Sequence, residues 1–220
     1  MPKSGGKDNL RSTKFVPGQS EEGKNRVNSP IQARRMISFP FFRKKADPVA
    51  ALYGDIVAAA RDPGAYRDFG VADDFEGRFE RLVLVATLVL RRLKALPAPA
   101  EDVAQRLVDR LFADLDDGLR RSGVGDLSVG KKMKGLAKGF YGRAEVYTQA
   151  LATGEAAMRD ALARNLFSGR VEADAVAPGL IDEVTRLEKA LEEASLDALL
   201  AGRVLSPQYS SVAASGAEPS

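Results

Sequence analysis

Residues 82–90 read LVLVATLVL, nine consecutive residues without a charge. They lie inside a longer segment, residues 73–96, which opens with Asp73 and Glu76 at capping-box spacing and stops before Pro97. Nine apolar residues are too few to span a bilayer, which takes about 20. A helix that is apolar on every side belongs at the centre of a bundle, where other helices cover all its faces. The segment therefore predicts an all-α fold built around it.

The rest of the chain supplies the covering helices. Asp47 as N-cap and Pro48 at the first position open a helix over residues 48–61, closed by Asp62-Pro63-Gly64. A short turn over 65–69 then leads to Gly70. Val103, Leu107, Leu111, Leu115 and Leu119 recur at helical spacing over residues 101–121, with Val108 and Phe112 widening the stripe. Gly123 is placed to end that helix in the left-handed conformation. Residues 129–151 carry Val129, Met133, Leu136, Phe140, Tyr147 and Leu151 on one face. A fifth helix covers 154–167, with Thr153 as N-cap and Gly169 as stop, and a last one covers 178–201, ended by Gly202. No run of alternating strands and no repeat of fixed period occurs. The expectation is a single compact bundle of about six helices over residues 47–205.

The flanks read differently. Residues 1–45 carry 11 Lys or Arg against 3 Asp or Glu, so the chain's net charge of +3 conceals a basic arm and a folded part that is net acidic. Residues 1–46 are rich in Gly, Ser, Pro, Asn and Lys without apolar periodicity, and are expected to be disordered, as is the Ser- and Ala-rich tail over 206–220. Met36 is an alternative start. The stretch it opens, MISFPFFRKK, suits either an anionic membrane surface or a short strand or clasp on the domain.

The chain contains no Cys, His or Trp. Disulfide frameworks, the usual zinc sites and Ser-His or Cys-His nucleophile pairs are thereby excluded. Four aspartates, Asp109, Asp114, Asp116 and Asp117, invite an acid–base or metal reading. The spacing of Asp116 and Asp117 to Arg120 and Arg121 points instead to ion pairs along a solvated helix face.

Residues 125–132, GDLSVGKK, imitate a phosphate-binding loop, lacking only its final hydroxyl residue. Such a loop needs a buried strand before it, and here an amphipathic helix precedes Gly125. The stretch is read as a helix–loop–helix corner in which Gly123 ends one helix and Asp126 caps the turn that starts the next. In the helix beyond, Lys131, Lys134 and Lys138 form a basic stripe beside the apolar face. Gly135, Gly139 and Gly142 each cost about 1 kcal/mol relative to Ala. Their spacing allows a close approach, either by a neighbouring helix of the same domain or by a partner segment.

Four stretches carry a resemblance. ALYGDIVAAARDPGAYRDFGV (51–71), DDFEGRFERLVLVATLVLRRL (73–93), LFADLDDGLRRSGVGDLSVGKKMKGLAKGFYGR (111–143) and AGRVLSP (201–207) together resemble the ubiquinol–cytochrome c chaperone family. The third stretch is the most specific. The resemblance implies an all-helical assembly factor, not an enzyme, that binds cytochrome b or another subunit during biogenesis of respiratory complex III. Mitochondrial members are associated with the ribosome and the inner membrane.

Carried over, the resemblance marks Asp126, Lys131, Phe140, Tyr141, Gly142 and Arg143, with Gly77, Arg78 and Phe79 in the central helix. Many relatives have a His in that helix where this chain reads Leu84-Val85-Ala86-Thr87, so no role of that side chain is carried over. The candidate partner-binding residues are Asp126, Lys131, Lys134, Lys138, Phe140, Tyr141, Gly142, Arg143 and Arg78, with no catalytic, cofactor or metal residue assigned. A chaperone for a membrane-embedded client needs an apolar groove bordered by positive charge, and the helix over 129–151 has both ingredients. The Ala- and Arg-rich composition suggests a bacterial cytoplasmic protein at the inner membrane; a eukaryotic one would face the mitochondrial matrix. The competing expectation is a ribosome- or nucleic-acid-binding module that uses the basic arm together with Lys131, Lys134 and Lys138.

Overall fold

The computed structural model describes residues 47–205. The expectations for the arm, the tail and MISFPFFRKK lie outside them. Eight α-helices follow one another: α1 Pro48–Ala60, α2 Pro63–Arg67, α3 Phe75–Ala95, α4 Ala100–Arg121, α5 Asp126–Thr153, α6 Glu155–Asn165, α7 Pro178–Glu193 and α8 Leu196–Leu200. A 3₁₀ turn, Ala173–Ala175, joins α6 to α7. No strand occurs among the described residues. Six of the helices are longer than five residues, and these are the six expected from periodicity.

α3 is the hub, packed against α1, α4, α5 and α7. Val83 through Val89 are all buried, and Leu82 and Leu90 at the two ends of LVLVATLVL are half-buried. Thr87, the polar residue of the run, donates its hydroxyl to the Val83 carbonyl 2.7 Å away within the same helix. Three arginines fasten α7 to this hub, Arg91 among them through Glu188. Arg81, 1% exposed, reaches Glu183 at 2.7 Å, and Arg92 donates to the Ala194 carbonyl at the end of α7.

Several boundaries move for local reasons. The N-cap of α3 is Asp74, whose carboxylate accepts from Gly77 N at 2.8 Å; Asp73 is released to pair with Arg78. Thr153 does not cap α6. It is the last residue of α5 and donates its hydroxyl to the Gln149 carbonyl, while Gly154, at φ 123°, makes the bend into α6. The expected helix over 178–201 is two helices, because Ser195 breaks the run and caps α8 through Ala198 N.

At the GDLSVGKK corner, Gly123 has φ 82°, and its N–H and that of Val124 close on the Arg120 and Leu119 carbonyls. These paired bonds are a Schellman ending. α5 then begins at Asp126, so residues 126–132 are helix, not loop. The element before Gly125 is α4, where a phosphate loop requires a strand.

Candidate functional site: the corner of α3, α4 and α5

α4 and α5 leave the corner side by side, and the first turn of α3 lies against the junction. Between them is an apolar hollow of about 590 Å³, lined by Phe75, Leu119, Ser122, Val124, Lys132, Gly135 and Leu136. Each lining residue follows from local sequence. Phe75 stands directly after the Asp74 cap, at the first helical position, where its ring projects from the end of α3 and stays 62% exposed. Leu119 and Val124 flank the Schellman turn, whose bonds fix them beside α5. Gly135 opens the floor, since nothing lies within 4 Å of where its Cβ would be.

The wall beside Phe75 is held from within. Phe75 stacks on Phe79 with ring centres 6.5 Å apart and planes 5° apart. The Arg143 guanidinium lies over the Phe79 ring at 6.0 Å, within cation–π range. That guanidinium is fixed in turn by Glu80, which is 1% exposed, with Arg143 Nε 2.5 and 2.6 Å from its two carboxylate oxygens. Burial pushes the Glu80 carboxyl above the usual glutamate range, and the hydrogen bond and charge of Arg143 pull it back only in part. A Cβ at Gly139 would meet Arg143 Nη1 at 2.9 Å, so a larger residue there would make that guanidinium shift.

The chain matches the family described as Ubiquinol-cytochrome C chaperone over residues 67–206. It belongs to that family. The crystal structure of the Cbp3 homolog from Brucella abortus aligns with a TM-score of 0.62 at 37% sequence identity, covering 71% of this chain and 87% of that one. No curated protein matches the chain.

Within this family member the nine candidate residues divide into two groups. Four make side-chain contacts within the domain. Phe140 is 1% exposed in the core, packed edge-on against Phe112. Arg143 holds Glu80, Arg78 is paired with Asp73, and Asp126, which is not a cap, is clamped by Arg120 at 2.6 Å across the corner. The other five, Lys131, Lys134, Lys138, Tyr141 and Gly142, are exposed; Tyr141 also sets its ring against Phe112 and Phe140, and none of the three lysines makes an ion pair among the described residues.

The glycine spacing resolves position by position. A Cβ at Gly135 or Gly142 would meet nothing, so no neighbouring helix of the domain packs there. The aspartates of α4 are bound by other side chains. Asp114 accepts from Tyr53 OH at 2.8 Å, Gln105 donates to Asp109, and Asp116 and Asp117 pair with Arg120 and Arg121 as their spacing predicts.

Sequence reasoning missed Phe75, Leu119, Val124 and Lys132. Nothing in the sequence separates Phe75 from the apolar residues that follow it in residues 73–93. Lys132 had been weighed only as the failed hydroxyl position of a phosphate loop. Leu119 and Val124 became neighbours of α5 only through the three-dimensional turn.

Proposed function

We propose that this protein is a non-catalytic assembly chaperone of the ubiquinol–cytochrome c reductase and that its client is cytochrome b. Family membership supports the assembly role. The observation that carries the client contact is the corner hollow, an apolar recess with an exposed aromatic at its mouth and one cation, Lys132, at its edge. A membrane protein early in assembly presents apolar helix surface that has not yet found its partners, and a recess of this kind covers part of it. On this reading the chain acts at the cytoplasmic face of the inner membrane. It needs no reactive side chain, because it shields its client and transforms nothing.

The test is co-purification. A tagged chain recovered from detergent-solubilised cells carries cytochrome b, and Phe75→Ser, at a 62% exposed position that the fold does not need, loses most of it. Deletion of the gene lowers the assembled complex while leaving its messenger RNA unchanged. Normal levels of the complex in a clean deletion reject the proposal.

A further inference from the structure

Every ion pair among the described residues uses arginine on its cationic side. The lysines stand apart from this network. Six fall in residues 47–205, and four of them, Lys131, Lys132, Lys134 and Lys138, lie in the first half of α5. Residues 126–144 therefore carry a net charge of +4, inside a described domain whose net charge is −4.

Three of these lysines belong to a longer pattern. Leu127, Lys131, Lys134, Lys138 and Tyr141 follow one another at steps of four, three, four and three, which places all five on one face of α5. The buried residues Val129 and Phe140 point about half a turn away. All five stripe residues are exposed. Leu127 is 100% and Tyr141 57% exposed, and with Phe75 they make up the large hydrophobics left in solvent among the described residues. The stripe runs for about 21 Å along the helix. The next carboxylate on this face is Glu145, a turn beyond Tyr141, while Asp126 at the start is occupied by Arg120.

We infer that this face of α5 lies on an anionic lipid bilayer. Three features select such a surface. The lysines make no ion pair among the described residues and are matched by a sheet of negative headgroups, to which each contributes about 1 kcal/mol. Leu127 and Tyr141 bracket them, and an aliphatic and an aromatic tip at the ends of a cationic row gain only where hydrocarbon lies just beneath the charges. Lysine suits the position because its flexible stem lies along apolar surface while its ammonium stays at the headgroups. A phosphate backbone matches the charges but offers nothing to a fully exposed leucine. The helix is held parallel to the membrane, since no helix of the described residues is long and apolar enough to cross it. The corner hollow then opens on an adjoining flank of α5, beside the bilayer. The inference stands apart from the client reading, because vesicles and cytochrome b are scored in separate assays.

The experiment is co-sedimentation of the full chain with phosphatidylcholine vesicles, with or without phosphatidylglycerol. The wild-type chain partitions onto the phosphatidylglycerol vesicles and not onto phosphatidylcholine alone. K131Q/K134Q/K138Q lowers that partition coefficient on the order of a hundredfold, and L127S/Y141S lowers it several-fold. The triple lysine variant keeps the wild-type thermal melt, because its three side chains are exposed and unpaired among the described residues, whereas L127S/Y141S also loses the ring contacts of Tyr141 with Phe112 and Phe140 and is compared at a temperature where both variants are folded. The basic arm is identical in every protein, so the loss reports α5. Equal binding to both vesicle types, or a triple variant that binds phosphatidylglycerol vesicles like wild type, overturns the inference. So does a triple variant that loses polyuridylate RNA while keeping the vesicles, which assigns the face to nucleic acid.

Discussion

α3 and α5 are two of the longest helices in the protein and touch along much of their length, yet they treat their difficult residues in opposite ways. On α3 each one has a partner inside the fold, although Arg81 Nε and Glu80 Oε1 are left without a hydrogen bond. Buried Glu80 has Arg143, buried Arg81 has Glu183 and the Ala59 carbonyl, and Thr87 has the carbonyl one turn back. Its glycine is required, since a Cβ on Gly77 would stand 1.9 Å from the Ala72 carbonyl oxygen. On the outer face of α5 Tyr141 alone is answered, by the Phe112 and Phe140 rings. Gly130, Gly135 and Gly142 have open space where a side chain would be, and the lysines beside them make no ion pair among the described residues. The fold explains the composition of α3; among the described residues nothing in it calls for the lysines on the outer face of α5.

The sharpest way to break this contrast is at the glycines. Gly77→Ala forces the segment before α3 away from the helix, because the obstacle is backbone and not a movable side chain. We expect a loss of about 3 kcal/mol or more, seen as a drop of about 10 °C in the melting temperature for a domain of this size. A melt unchanged from wild type would show that the Ala72 turn gives way freely, and the claim that α3 is fixed by the fold fails with it.

The Glu80–Arg143 pair is the second test. Arg143→Met removes the cation and leaves a carboxylate buried without a partner, at a cost of about 3 kcal/mol in denaturant unfolding. Adding Glu80→Gln to that variant recovers much of the loss, because the orphaned charge is gone. The sign of the pH dependence is also fixed. Glu80 titrates above its ordinary value in the folded chain, so proton uptake favours folding. Its contribution is full below the ordinary glutamate value and fades as pH rises through the raised one. In Arg143→Met the carboxyl rises further, and the decline in stability extends toward neutral pH. A decline no steeper than that of wild type would mean that Arg143 holds Glu80 in name only.

The contrast also explains what could be read from sequence. α3 was legible because LVLVATLVL permits only one environment, and the six long helices follow from the spacing of Val, Leu and Phe. What failed was decided in three dimensions. Phe140 and Arg143 sit three residues apart in a stretch that resembles the family, and sequence does not tell that one is core and the other a brace for Glu80. Asp74 and Asp73 are both able to cap α3 by sequence; Asp74 takes the cap and Asp73 pairs with Arg78. The lysine stripe was visible, but Leu127 and Tyr141 at its ends were not connected to it, because α5 was expected to begin at Val129, three residues after its actual start at Asp126.

The smallest expected effects are the most discriminating. Gly135→Ala and Gly142→Ala place a methyl in open space within a helix, so each stabilises the isolated protein by up to about 1 kcal/mol. The two positions then differ in function. Gly135 lines the corner hollow and Gly142 does not. Gly135→Ala narrows that hollow and lowers recovery of cytochrome b in the co-purification assay, whereas Gly142→Ala leaves it unchanged. A melt that rises for both variants, with client recovery falling only for the first, separates a glycine kept for a partner from one the fold merely tolerates. Equal recovery in the two would remove Gly135 from the contact and confine the client to the Phe75 side of the hollow.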